Sequence, residues 1–192
     1  MKPTSTQIRI FRWIQDAGRE RLESSDDVVA SPPAVELRPA QDYVVRAVRV
    51  TQKPVQGEEA YRLVIDELPG APQRQRTVTF VVRHVIPLLF DAPEASAPDV
   101  KWQVSESGHA ITLVAENRGD RRVRLASARI SDGAGKGVSF GPGLVGYALG
   151  RSTMSWRVFA SKTVFALGTK VRITGQTEEG PSDAQAVVQS AP

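Results

Sequence analysis

Two histidines, one glycine-rich run and the adjacent carboxylates Asp66-Glu67 are the residues here whose types and setting come nearest to catalysis or ligand chemistry. His84 and His109 have no carboxylate at ligand spacing beside them, so the convergent groups that a metal site or a Ser–His pair needs are missing. Gly133-Ala134-Gly135-Lys136-Gly137 sets a lysine among glycines, as a phosphate loop does. It lacks the GxxxxGK[ST] spacing, and no helical period follows to aim an N-terminus at an anion, so it reads as a hairpin turn. Asp66-Glu67 precedes Pro69 at a strand end. General acid–base work is conceivable there, but solvation of the strand end explains the pair without it. The chain has no cysteine, which removes disulfides and thiolate metal sites. The reading is a protein that is not an enzyme and holds no metal or cofactor.

What remains is binding, and one stretch dominates it. Thr77 to Pro93, TVTFVVRHVIPLLFDAP, reads as one long β-strand with Val78, Phe80 and Val82 on one face, running into an apolar segment that ends at a proline. The loop from Pro69 to Arg76 feeds this strand, which makes Tyr61–Ile65 and Thr77–Ile86 expected antiparallel neighbours. Earlier, Gln7 to Trp13 alternates and then shifts parity at Phe11 and Trp13, the sign of a bulge or of a strand covered on both faces. Asp16 to Asp27 reads as a charged turn region, Ser31-Pro32-Pro33 as an extended segment, and Tyr43 to Val50 as a strand.

Asp91 to Pro98, DAPEASAP, has the make-up of a short stiff linker and divides the chain. The expected domains are 1–93 and 99–192, joined by 94–98. The second half repeats short strands at Trp102–Val104, Ala110–Glu116, Arg121–Ile130, Gly137–Phe140, Ser155–Phe159 and Lys170–Gly175, with turns between them. That rhythm predicts a β-sandwich with little helix. After Glu179 the pattern loosens to a possible last strand at Ala184–Gln189 and a frayed end.

The formal charge of +4 is spread thin: residues 1–95 carry 13 basic and 13 acidic side chains, and residues 96–192 carry 12 and 8. Without a basic run or motif, nucleic acid is not an expected partner. No segment approaches the roughly 20 apolar residues of a membrane helix, so no membrane insertion is expected.

Tyr61-Arg62-Leu63 followed by Glu67-Leu68-Pro69, a loop, the long alternating strand and an apolar segment closing at Pro93 resembles the periplasmic chaperones of the chaperone–usher pilus pathway. Ile10-Phe11-Arg12-Trp13, Ser31-Pro32-Pro33 and Val44-Val45-Arg46 resemble that family's third and following strands. Trp102, Asn117 with Gly119, Gly146-Tyr147, Ser152 and Trp156 are similar to recurring positions of its second domain, and Val85-Ile86-Pro87 is similar to the divergent archaic and spore-coat-like branch.

The resemblance implies an all-β fold of two immunoglobulin-like β-sandwich domains in a boomerang arrangement, the first lacking its first two strands. It implies donor-strand complementation, in which the chaperone's strand fills the gap of an incomplete pilus subunit and an outer-membrane usher receives the subunit, with no cofactor. On this sequence the implied pocket-filling residues are Val78, Phe80 and Val82, with Val81 packing into the protein's own core. Arg83 and Arg46 are the candidates for anchoring the subunit's C-terminal carboxylate. The implied compartment is the periplasm, reached by a longer form with a signal peptide, since Met1-Lys2-Pro3-Thr4 lacks one. A first domain short of two strands would expose apolar surface and bare edges, which favours self-association. The alternative is a two-domain β-sandwich adhesion or carbohydrate-binding protein. It predicts aromatic side chains on exposed loops, whereas Trp13, Trp102 and Trp156 sit in strand-like patterns.

Overall fold

The computed structural model describes residues 3–70, 78 and 80–190. Residues up to Ile14, Arg21–Val55 and those from Glu59 to Phe90 make one compact unit; Gln15–Glu20, Gln56–Glu58 and those from Asp91 onward make a second. Among the described residues there is no helix, and none that would cross a membrane.

The first unit contains β1 (Thr4–Asp16), β2 (Arg19–Ser24), β3 (Val28–Ser31), β4 (Ala34–Leu37), β5 (Arg46–Arg49), β6 (Glu58–Glu67) and β7 (Arg83–Asp91), although the ends of some strands belong to the second unit. One sheet runs in the order β2-β1-β6-β7, with β4 also on β1, and β3 pairs β5 in a separate two-stranded sheet. Ile10, Val28 and Tyr61 are buried between the two sheets, with Ala47, Leu63, Leu88 and Phe90 packed against them.

The parity shift in β1 has a clear cause. Thr6, Ile8 and Ile10 are buried on one face, then Trp13 and Gln15 on the other. The register with β6 runs unbroken from Thr6 opposite Glu67 to Arg12 opposite Tyr61. The strand is therefore covered on both faces, and the Arg62 guanidinium lies 3.5 Å from the centre of the Trp13 ring.

Two expectations need correction here. The charged stretch after Asp16 is half strand: Ala17 and Gly18, at φ 49° and 77°, turn the chain into β2, whose residues are all exposed. An exposed edge strand needs no apolar alternation, so its sequence looks like a loop. The strand expected over Tyr43–Val50 is only β5, and Val44 beyond its end is exposed.

The second unit contains β8 (Val100–Ser107), β9 (Ala110–Asn117), β10 (Val123–Asp132), β11 (Gly137–Ser139), β12 (Leu144–Ala148), β13 (Ser152–Phe159), β14 (Lys170–Thr177) and β15 (Gly180–Ser190). The order is β11-β10-β14-β15-β8-β9-β13, with β12 also on β10. The strand β15 pairs β14 antiparallel and β8 parallel, which closes the sandwich around Val104, Ile111, Leu113, Leu125, Ile130 and Val188. The loosely patterned tail carries the last strand expected at Ala184–Gln189, extended to Gly180–Ser190, while the end expected to fray lies outside the described residues. The strand's inward side chains, Ala184 and Ala186, are too small to give a strong signal.

Asn117 ties the entrance of this sandwich together. Its side-chain oxygen accepts the Asp99 and Gly119 amides at 3.2 and 3.1 Å, and its nitrogen donates to the carbonyls of Arg121, Ala148 and Leu149. The linker segment is held beside it: Asp120 accepts both the amide and the hydroxyl of Ser96 and pairs with Arg151. The glycine-rich run after Asp132 is the expected hairpin turn, with Ala134 and Lys136 amides donating to the Asp132 carboxylate.

Candidate functional site

The site is built on β7 and the residues that lead into it. Glu67 meets Val82 through an amide-to-carbonyl bond of 2.9 Å, and Tyr61 meets Phe90 ring edge to face at 5.9 Å, so β6 and β7 run antiparallel as expected. Among the described residues β6 is the one sheet neighbour of β7, which leaves β7 at a sheet edge. After Glu67 the neighbour is spent: the Leu68 amide donates to the Ser5 carbonyl, and Pro69-Gly70 follows.

Among the described residues regular strand therefore begins at Arg83, later than the long strand expected, with Val78, Phe80, Val81 and Val82 ahead of it. Thr77 and Thr79 lie outside the described residues, while Val78, Phe80 and Val82 precede the strand and are 78%, 89% and 52% exposed. Three apolar side chains in that state lack burial that the sequence equips them to have.

Side-chain direction along β7 corrects one expectation. Leu88 and Phe90, both even-numbered, face this unit's core. Val82 and His84 share that parity and line an open hollow of about 330 Å³ with Thr6, Leu37 and Ile65. Val81 does not pack into the core; it is half exposed. Because the adjacent Val81 and Val82 put an apolar side chain on each parity, alternation alone could not say which face turns inward there.

Charged groups fix the root of the segment. Asp66 accepts from Arg83 on β7 and from Arg9 on β1, the latter at 2.6 Å. The hydrogen bond from Arg83, then that from Arg9, hold its carboxyl below the ordinary carboxylate range. Glu67 takes the Val82 amide at 3.0 Å. The adjacent carboxylates are thus a clamp on β7, a role that sequence reading missed; their place at a strand end was the available clue. Of the two anchoring candidates, Arg83 is engaged by Asp66, and Arg46 stands exposed on β5 opposite Ser31. No described contact joins them. His84 and His109 are exposed, and among the described residues no three His, Cys, Asp or Glu side chains are grouped to hold a metal.

Residues 2–96 match the family described as pili and flagellar-assembly chaperone, PapD N-terminal domain. The chain belongs to the pilus-assembly chaperones. No curated protein sequence matches it. Among solved structures, it is similar to a chain of the CsuC–CsuE chaperone–tip adhesion subunit pre-assembly complex from archaic chaperone-usher Csu pili of Acinetobacter baumannii. That match has a TM-score of 0.70 at 22% identity over 98% of this chain and 87% of that one. It is also similar to the E. coli chaperone DraB, with a TM-score of 0.58 at 19% identity over 98% and 83%. A third likeness is to the Salmonella enterica SafA pilin–SafB chaperone complex, with a TM-score of 0.59 at 17% identity over 96% and 83%. At these identities the likeness concerns the fold, and the all-β, immunoglobulin-like architecture expected from sequence is the one this pilus chaperone has.

Proposed function

We propose that this chaperone captures fimbrial subunits by donor-strand complementation, with Val78, Phe80 and Val82 entering pockets of the subunit while the free edge of β7 and the residues before it supply ladder hydrogen bonds. One observation carries the reading: an apolar segment that leads into an edge strand leaves its side chains uncovered, with Phe80 89% exposed. Leaving such surface in water is costly, and a partner that lacks a strand removes the cost on both sides.

The subunit's C-terminal carboxylate is assigned to Arg83 and Arg46, Arg83 exchanging Asp66 for it. Capture in the periplasm and delivery to an outer-membrane usher complete the proposal. No nucleotide is required, because folding energy retained by the subunit drives its later release. The solved complexes with a tip adhesion subunit and with a pilin are of the same fold, which favours subunits of that kind as partners.

Co-expression with a pilin tests it. A stable one-to-one complex is expected, abolished when Val78, Phe80 and Val82 are all replaced by Asp. Capture that survives the triple replacement sinks the assignment of the donor segment.

A further inference from the structure

The second unit holds a cavity of about 480 Å³ that the subunit-binding reading does not use. Arg121, Arg122 and Arg124 all line it, at the start of β10, opposite Val100 and Trp102 of β8 and beside Pro181. Three arginines within four residues of one wall put concentrated positive charge into a partly enclosed space. Whether that charge is spent inside the protein decides what the cavity does.

For Arg122 it is spent. Its guanidinium pairs with Glu58 and with Glu178. Arg121 and Arg124 differ: neither guanidinium has an ion pair or a hydrogen-bond partner among the described residues. Moreover, the Nε atoms of all three are buried without an acceptor. Buried donors are normally satisfied, and no described residue supplies these three with an acceptor, at the wall of a cavity lined by their own residues.

We infer that this cavity is a binding site for a carboxylate carried on an apolar body, with Arg121 and Arg124 as the donors and Trp102, Val100 and Pro181 as the apolar wall. The planar fork of arginine matches a carboxylate with two parallel bonds. A singly charged group fits better than a phosphate, because Asp91 and Glu179 also line the cavity and repel a dianion. An aromatic wall beside a few aimed donors is the usual make-up of a small-ligand site. All of its lining residues belong to the second unit, whereas the donor segment, Arg46 and Arg83 belong to the first.

The test uses the full chain, with phenylacetate as the small acid and a capped phenylalanine–glutamate–alanine peptide as the acidic side chain. Binding is read from the Trp102 indole signal. Saturable binding is expected for at least one probe, and the tighter of the two identifies the source of the carboxylate. Arg121→Gln and Arg124→Gln should each weaken it by about tenfold, the size of losing one charge-assisted hydrogen bond. Thermal unfolding of each variant monitors folding, and Arg124→Lys keeps the charge while removing the fork, so it too should bind more weakly. The Val78, Phe80 and Val82 triple variant should bind both probes as the parent does, which separates this site from subunit capture. The inference is overturned by absence of saturable binding, by equal binding of the phenylacetate methyl ester or of inorganic phosphate, or by Gln variants that bind like the parent.

Discussion

At the scale of single residues, the side chains that matter most to stability are polar ones. Asn117 is 2% exposed and satisfies five backbone groups. Replacing it with alanine leaves several buried groups without partners, so Asn117→Ala should cost about 3 kcal/mol or more in urea unfolding. Asp120 makes a different prediction. Hydrogen bonds from Ser96 and the ion pair with Arg151 lower its carboxyl from 3.8 to about 2. A depressed folded value favours the folded state above the ordinary value, so that contribution is complete above 3.8 and fades as pH falls toward about 2. Acid titration of stability should show this slope in the parent chain and a shallower one in Asp120→Asn.

At the scale of elements, β7 and its approach hold two phenylalanines with opposite tasks. Phe90 packs on Tyr61 in the core, while Phe80 lies exposed ahead of the strand. Phe90→Ala should therefore lower stability by about 2–3 kcal/mol, whereas Phe80→Asp should leave the unfolding midpoint unchanged and impair capture of a pilin. An equal loss of stability in both would contradict the separation of roles. Much of this was legible in the chain itself. Tyr61, Leu63 and Ile65 alternate and do form the strand beside β7, and the turn at Asp132 to Gly137 was plain from its glycines. Other elements left little trace. The β2 strand lies on an exposed edge, β4 is a four-residue strand set by pairing with β1, and β15 turns small alanines inward. Where β7 begins was also hidden, since it depends on β6 ending at Glu67, a fact about the neighbour and not about residues 77–82.

At the scale of the whole molecule, the two units carry unequal cores. The second gathers Val104, Ile111, Leu113, Leu125, Ile130, Val171, Ile173 and Val188 into one cluster closed by ladders on both sides of β15. The first packs a few residues between a larger sheet and the β3–β5 pair, and two-stranded sheets are marginal in water. Native-state hydrogen exchange should find the slowest amides in β9 and β14, with β3 and β5 opening at much lower free energy. Equal protection across both units would contradict this ranking. The position of β15 has a consequence for biosynthesis. Because Gly180–Ser190 supplies bonds to β14 and to β8 alike, a nascent polypeptide emerging from its amino end cannot seal this domain until those residues have been made. Before then the second unit is itself an unfinished sandwich, with the β14 and β8 edges that β15 later covers both bare.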